Sequence, residues 1–211
     1  MQLLSKSIAF AGLLAVSLAS SAATAGRDAE QFAGGLLQQT SLILRDANCG
    51  EAARGDRLHQ LVMQNLDARK TALFALGGYQ RELPPQIVEE YVAAFTNYIT
   101  AVYEARLRTF RAFDFKVVNS MDAGQGDTTV ITQAQPTAER RGASPIFIWL
   151  RLSRASGQFK ITDVQIAGMW VSIHEREKFA RILSENHADL RALTSYLTYQ
   201  AAQIKAGSGQ V

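Results

Sequence analysis

The chain contains one cysteine, Cys49, among 211 residues. That excludes an internal disulfide. It also excludes a bacterial lipid anchor, which needs a cysteine directly after an export cleavage site. Cys49 lies far downstream, behind Ala47-Asn48. A buried or capped thiol is the plain reading, and an intermolecular bridge is the alternative. Histidine is also scarce. His59, His174 and His187 form no His-Glu-x-x-His or other metal spacing, so no metal and no cofactor are expected. His174-Glu175 reads as an exposed helix start. The sequence has no Gly-x-Ser-x-Gly elbow and no phosphate-binding glycine loop. Gly124-Gln125-Gly126 lacks a following helix and reads as a turn. The net charge of +3 is too small and too dispersed to argue for nucleic acid. Arg140-Arg141, the densest basic spot, reads as a solvated loop, with weak attraction to anionic headgroups as the alternative. No run of about 20 apolar residues occurs that would span a bilayer.

What is present begins at the first residue. Lys6, the apolar stretch from Ile8 to Ala19 and the small residues Ala23-Thr24-Ala25 have the three parts of a secretory signal peptide. Residues 1–25 are therefore expected to be removed, leaving an exported soluble protein beginning at Gly26. Residues 26–205 fit one domain large enough to bury a core without disulfides. Residues 206–211, Ala-Gly-Ser-Gly-Gln-Val, read as a flexible tail.

Helical spacing of apolar residues runs from Asp28 to about Asp46, with Phe32, Leu36, Thr40, Ile43 and Leu44 on one side. Gly34-Gly35 weakens that helix. A second helix fits Leu58, Leu61, Val62 and Leu66, and a third fits Arg69 to Leu76, stopped by Gly77-Gly78. Pro84-Pro85 opens the clearest helix, because proline suits a first turn whose N–H groups need no partner. Val88, Val92, Phe95, Ile99, Val102 and Arg106 step along one face, flanked by Tyr91, Tyr98 and Tyr103, to about Thr109.

The period then changes to two. Phe113, Phe115 and Val117 make a half-buried strand, Thr128 to Gln133 a second, and Pro145 to Leu152 a third. The third is apolar on both faces and should be central. The fourth is Phe159 to Ile166. Ile161 and Val164 are three apart, so a bulge at Thr162-Asp163 is needed to bring Val164 and Ile166 inward. Phe179, Ile182 and Leu183, then Leu190, Leu193, Leu197 and Ile204, mark C-terminal helices. The order is helices, an antiparallel meander of about four strands, then helices. This is an α+β fold with helices over one face of a curved sheet and room for an apolar pocket between them.

Two stretches resemble a known family. Leu76-Gly77-Gly78-Tyr79-Gln80-Arg81 resembles the "LG-x-x-W-R" stretch of the MlaC, or toluene-tolerance, family of periplasmic phospholipid-binding proteins. Phe95 and Tyr103 sit where that family has its "F…F…Y" helix. Phe159-Lys160-Ile161-Thr162-Asp163-Val164-Gln165-Ile166-Ala167-Gly168 is similar to its "W-k-v-y-D-v-x-i-x-G-v-S" signature, followed by Arg176 and Phe179 at its "R…F" spacing. Tyr79 and Phe159 stand where tryptophan is usual, Met169-Trp170 where Val-Ser is common, and Asn186-His187 where Gly-Gly is frequent. The stretch from Glu175 to Phe179 is closer to the hopanoid-associated, HpnM-type branch.

The resemblance implies an NTF2-like fold and a non-catalytic lipid carrier. Its cargo would be a phospholipid or hopanoid-type lipid. Its partners would be an outer-membrane lipoprotein complex and an inner-membrane ABC transporter with an MCE-domain subunit, or an RND-type exporter for the hopanoid branch. Candidate lining residues are Phe95, Ile99, Val102, Phe113, Phe115, Ile146, Ile148, Leu150, Ile166 and Met169, although an apolar residue at such spacing more often packs a filled core. Asp163 is the one acid inside an apolar strand. It could be the general base of a small α+β enzyme acting on an apolar metabolite, or it could pin the bulge, with Arg176 as a partner. A pure adaptor between membrane complexes, with a filled core, is the remaining alternative.

Overall fold

The computed structural model describes residues 14–155 and 157–207. The first thirteen residues of the expected signal segment and residues 208–211 of the expected tail lie outside the described residues. Helix α1 spans Leu14–Arg45 as one element. It runs through Gly34-Gly35 without a break. A Cβ at Gly34 would meet the Val117 side chain at 3.7 Å, an ordinary contact distance, and one at Gly35 would meet nothing within 4 Å. Neither glycine is demanded by close approach, and α1 continues here because its packing on the first strand outweighs propensity. Helices α2 (Glu51–Asn65) and α3 (Ala68–Leu76) follow. Gly77 closes α3 at φ 63°, and a 3-10 turn covers Gly77–Glu82. Helix α4 runs Pro85–Arg108, opened by proline as expected.

Five strands form one sheet in the order β1-β2-β3-β4-β5, with all neighbours antiparallel. They are β1 (Phe113–Gly124), β2 (Asp127–Pro136), β3 (Ile146–Ala155), β4 (Gln158–Ile166) and β5 (Met169–Trp170). β3 is central. The sheet has five strands where four were expected, because a two-residue strand is too short to show a period. Helices α5 (Val171–Glu185) and α6 (Leu190–Lys205) close the chain. Their connection keeps left-handed backbone at His187 (φ 53°) and Ala188 (φ 61°). That conformation favours glycine.

The bulge falls where the spacing required it. Leu150 pairs with Val164 and Arg151 with Asp163, but Leu152 pairs with Ile161, leaving Thr162 extra. The Thr71 hydroxyl donates to the Thr162 carbonyl at 2.8 Å, and the Asp67 N–H donates to the Ile161 carbonyl at 2.8 Å. The junction of α2 and α3 is thereby hooked onto β4.

The core has two halves. α3, α4, α5 and α6 pack into a helical layer around Tyr91, Phe95 and Phe179. The three rings lie with centroids 6.0–6.3 Å apart, and Phe179 meets both others edge-on. The second half lies between the inner sheet face and α1, α2 and the C-terminal turns of α4. α1 crosses that inner face, with Phe32 against Phe159 and Glu30 accepting a hydrogen bond from Ser120.

Candidate functional site

The second half of the core is hollow. α1 contributes Leu36, Leu37 and Thr40 to its wall, and α2 with its C-cap contributes Leu61, Val62, Asn65 and Leu66. Tyr103, Arg106, Leu107 and Phe110 come from α4 and the turn after it. The sheet supplies Phe115 from β1, Ile148 and Leu150 from β3, and Ile161, Val164 and Ile166 from β4. The cavity measures about 100 Å³, taken as the space open to the centre of a water molecule. One water needs about 10–15 Å³ on that measure, so the space as it stands admits about seven to ten water-sized groups. That is a stretch of one hydrocarbon chain. A two-chain molecule requires the walls to move apart.

Four of the ten sequence candidates line this space: Phe115, Ile148, Leu150 and Ile166. The other six do not. Phe95 and Ile99 are fully buried in the helical layer, and Val102 is buried beside them. Phe113 is buried against Phe110 with ring centroids 5.3 Å apart. Ile146 packs on the core from the end of β3, and Met169 is 58 % exposed. The cavity face of α4 is Tyr103-Arg106-Leu107, continued by Phe110 in the turn after it, and it lies C-terminal to the Phe95-Ile99-Val102 stretch. The α1 and α2 residues carry the helical stripes read from sequence, but nothing in a stripe says which partner it faces.

Asp163 is not among the lining residues. It is 2 % exposed, and its carboxylate accepts from the Val164 N–H at 2.9 Å, the Ser172 N–H at 3.0 Å and the Ser172 hydroxyl. Arg151 stands 3.8 Å away and stacks on Trp170 with 4.2 Å to the ring centroid. The partners are thus Ser172, Val164 and Arg151 instead of Arg176, which lies over the Phe74 ring and against Gly77. Asp163 ties the bulged strand to the first turn of α5.

Burial raises the Asp163 carboxyl above its ordinary 3.8, against the opposing pull of the Ser172 and Val164 hydrogen bonds and of Arg151. A carboxyl raised on folding holds its proton more tightly in the folded state. Its stabilising contribution is complete below the unfolded value and is lost as pH rises through the folded one. Asp163→Asn keeps one acceptor oxygen and leaves a donor unmet, costing about 1–3 kcal/mol. Urea unfolding of both proteins across pH should show this gap largest in acid and narrowing as pH rises. A gap that widens with pH would contradict the assignment.

Glu175 was expected at an exposed helix start, yet it is 4 % exposed. The Tyr98 hydroxyl donates to it at 3.1 Å, and Lys178 pairs with it at 2.8 Å. Burial of the phenol, with the Glu175 charge beside it, pushes Tyr98 well above the ordinary tyrosine range, so the hydroxyl stays a donor. Cys49 is a free buried thiol, and Arg54 donates to its carbonyl at 2.8 Å. Among the described residues, no group of three or more His, Cys, Asp or Glu is placed to hold a metal ion. No helix of the described residues is long and apolar enough to cross a membrane.

The sequence profile of the family described as MlaC protein matches residues 36–198. The chain belongs to the MlaC family. The match takes in every residue that walls the cavity, from Leu36 to Ile166, and assigns no branch within the family. Among solved structures, the chain is similar to the phospholipid-binding protein from Ralstonia solanacearum, which was determined in complex with a phospholipid. The TM-score is 0.69 at 17 % identity, covering 83 % of this chain and 98 % of the other. The fold is therefore shared along nearly the whole of that protein. No curated protein sequence matches the chain.

Proposed function

We propose that this MlaC family protein is an exported, periplasmic, non-catalytic lipid carrier that shelters acyl chains in the cavity between sheet and helices. The observation that carries the reading is the hollow itself. Thirteen of its seventeen lining residues are apolar side chains, and the chain shares its fold with a solved protein that holds a phospholipid. The physical need is plain. Two acyl chains expose about 30 methylenes at about 0.8 kcal/mol each, or about 24 kcal/mol, far more than spontaneous desorption supplies. An apolar lining offsets most of that penalty, so transfer between membrane and carrier becomes nearly isoenergetic.

Loading of a two-chain lipid needs the walls to part, since the cavity as it stands is a single-chain slot. Direction is then set by partners. These are an outer-membrane lipoprotein complex and an inner-membrane MCE-containing ABC transporter, with an RND-type exporter in its place if the cargo is hopanoid-type. The enzyme alternative loses support, because the Asp163 oxygens are engaged by Ser172 and Val164 and do not line the cavity. The test is incubation of delipidated protein with vesicles, followed by re-isolation and organic extraction. Protein carrying lipid supports the carrier, and protein that takes none rejects it.

A further inference from the structure

Two residues of the cavity wall each carry a covered polar atom that has no partner in the fold. Tyr103 is 7 % exposed, and its hydroxyl makes no hydrogen bond. Three residues on, the Nε of Arg106 is buried and unbonded as well. Among the described residues, nothing forms a hydrogen bond or ion pair with this guanidinium. Residues at i and i+3 share a helix face, and both line the cavity.

The other two polar lining residues satisfy themselves. The Thr40 hydroxyl donates to the Leu36 carbonyl at 2.9 Å, and the Asn65 amide donates to the Leu61 carbonyl at 2.8 Å. The buried acids nearby are also engaged, Asp163 by Ser172 and Val164, Glu175 by Tyr98 and Lys178.

Buried donors without acceptors are rare in native proteins, and each calls for an explanation. A guanidinium only donates and is always charged. The phenol, pushed upward by burial and by the Asp163 and Glu175 charges, keeps its proton and can donate too. Both donors, one of them on a cationic group, lie covered behind the apolar lining, and a chain that parts the walls uncovers them to an acceptor, best one that bears negative charge. Hydrocarbon alone would leave the phenol and the Arg106 Nε unmet.

We infer that Tyr103 and Arg106 anchor an acidic group, carboxylate or phosphate, carried on the apolar chain that enters the cavity. This rests on the lipid-binding reading above and names the class of lipid it accepts.

Delipidated full-length protein is titrated with three probes sharing one acyl chain: oleic acid, oleoyl lysophosphatidic acid and methyl oleate. At least one acid should bind about tenfold or more tighter than the ester, since charge-assisted hydrogen bonds are the strong ones. Arg106→Met and Tyr103→Phe should each bring the acid-to-ester ratio toward one, and Arg106→Lys should retain most of it. Preference for oleate identifies a carboxylate as the group anchored, and preference for lysophosphatidate identifies a phosphate. Equal binding of acid and ester, or a ratio unmoved in both folded variants, overturns the inference and leaves the carrier standing. Binding of none of the three probes rejects the carrier reading and the inference with it. Circular dichroism melting reports whether each variant is folded. Tyr103→Phe, which removes one oxygen, carries the test should Arg106→Met fail to fold.

Discussion

Leu150→Trp should reduce the lipid recovered per folded molecule by about ten- to a hundredfold. Leu150 sits in the central strand, paired with Val130 on one side and Val164 on the other, and its side chain enters the cavity wall. The slot is only about 100 Å³, so an indole there displaces part of any chain. Losing the burial of two to four methylenes at about 0.8 kcal/mol each accounts for the expected range. The side chain grows into open space, so the cost in stability should stay within the about 1–3 kcal/mol of an overpacked core. Organic extraction per mole of protein, beside a thermal melt, checks both halves. Unchanged lipid content in a well-folded variant would place the cargo elsewhere.

Phe95→Ala should do the reverse. Its ring is fully buried and contacts Tyr91 and Phe179 at centroid distances of 6.0 Å each. Removing it opens a void in a filled layer whose other members sit on α4 and α5 and cannot collapse around it. Such truncations cost about 3–5 kcal/mol. For a chain of this size that lowers the melting midpoint by about 6–20 °C. Lipid carried per folded molecule should change little, because Phe95 is outside the cavity. Reduced lipid content at unchanged stability would return Phe95 to the lining. Together the two variants separate the hollow half of the core from the packed half.

That division is what the sequence could not express. Ile99 and Leu150 are both apolar residues at correct spacing, and only the tertiary arrangement sends one into a packed layer and the other to a cavity wall. Local signals were legible. Pro84-Pro85 marks the start of α4, and the three-residue step from Ile161 to Val164 marks the β4 bulge, because a single strand must keep alternate faces. β5 was invisible, since Met169-Trp170 has no period to read. The burial of Glu175 was also hidden. It depends on Tyr98 from α4, 77 positions away in the chain. Arg106 was visible only as a charged residue on an apolar face. Its lack of a partner emerges once every neighbouring acid is seen to be engaged.

The account stands on a sheltered hydrocarbon site, and native mass spectrometry of the protein isolated from its own cell envelope reaches that site most directly. The account predicts adduct masses of a membrane lipid that survive gentle ionisation, vanish on denaturation and reappear in the extracted organic phase. Protein arriving at its bare polypeptide mass, and staying so after exposure to vesicles, would contradict it.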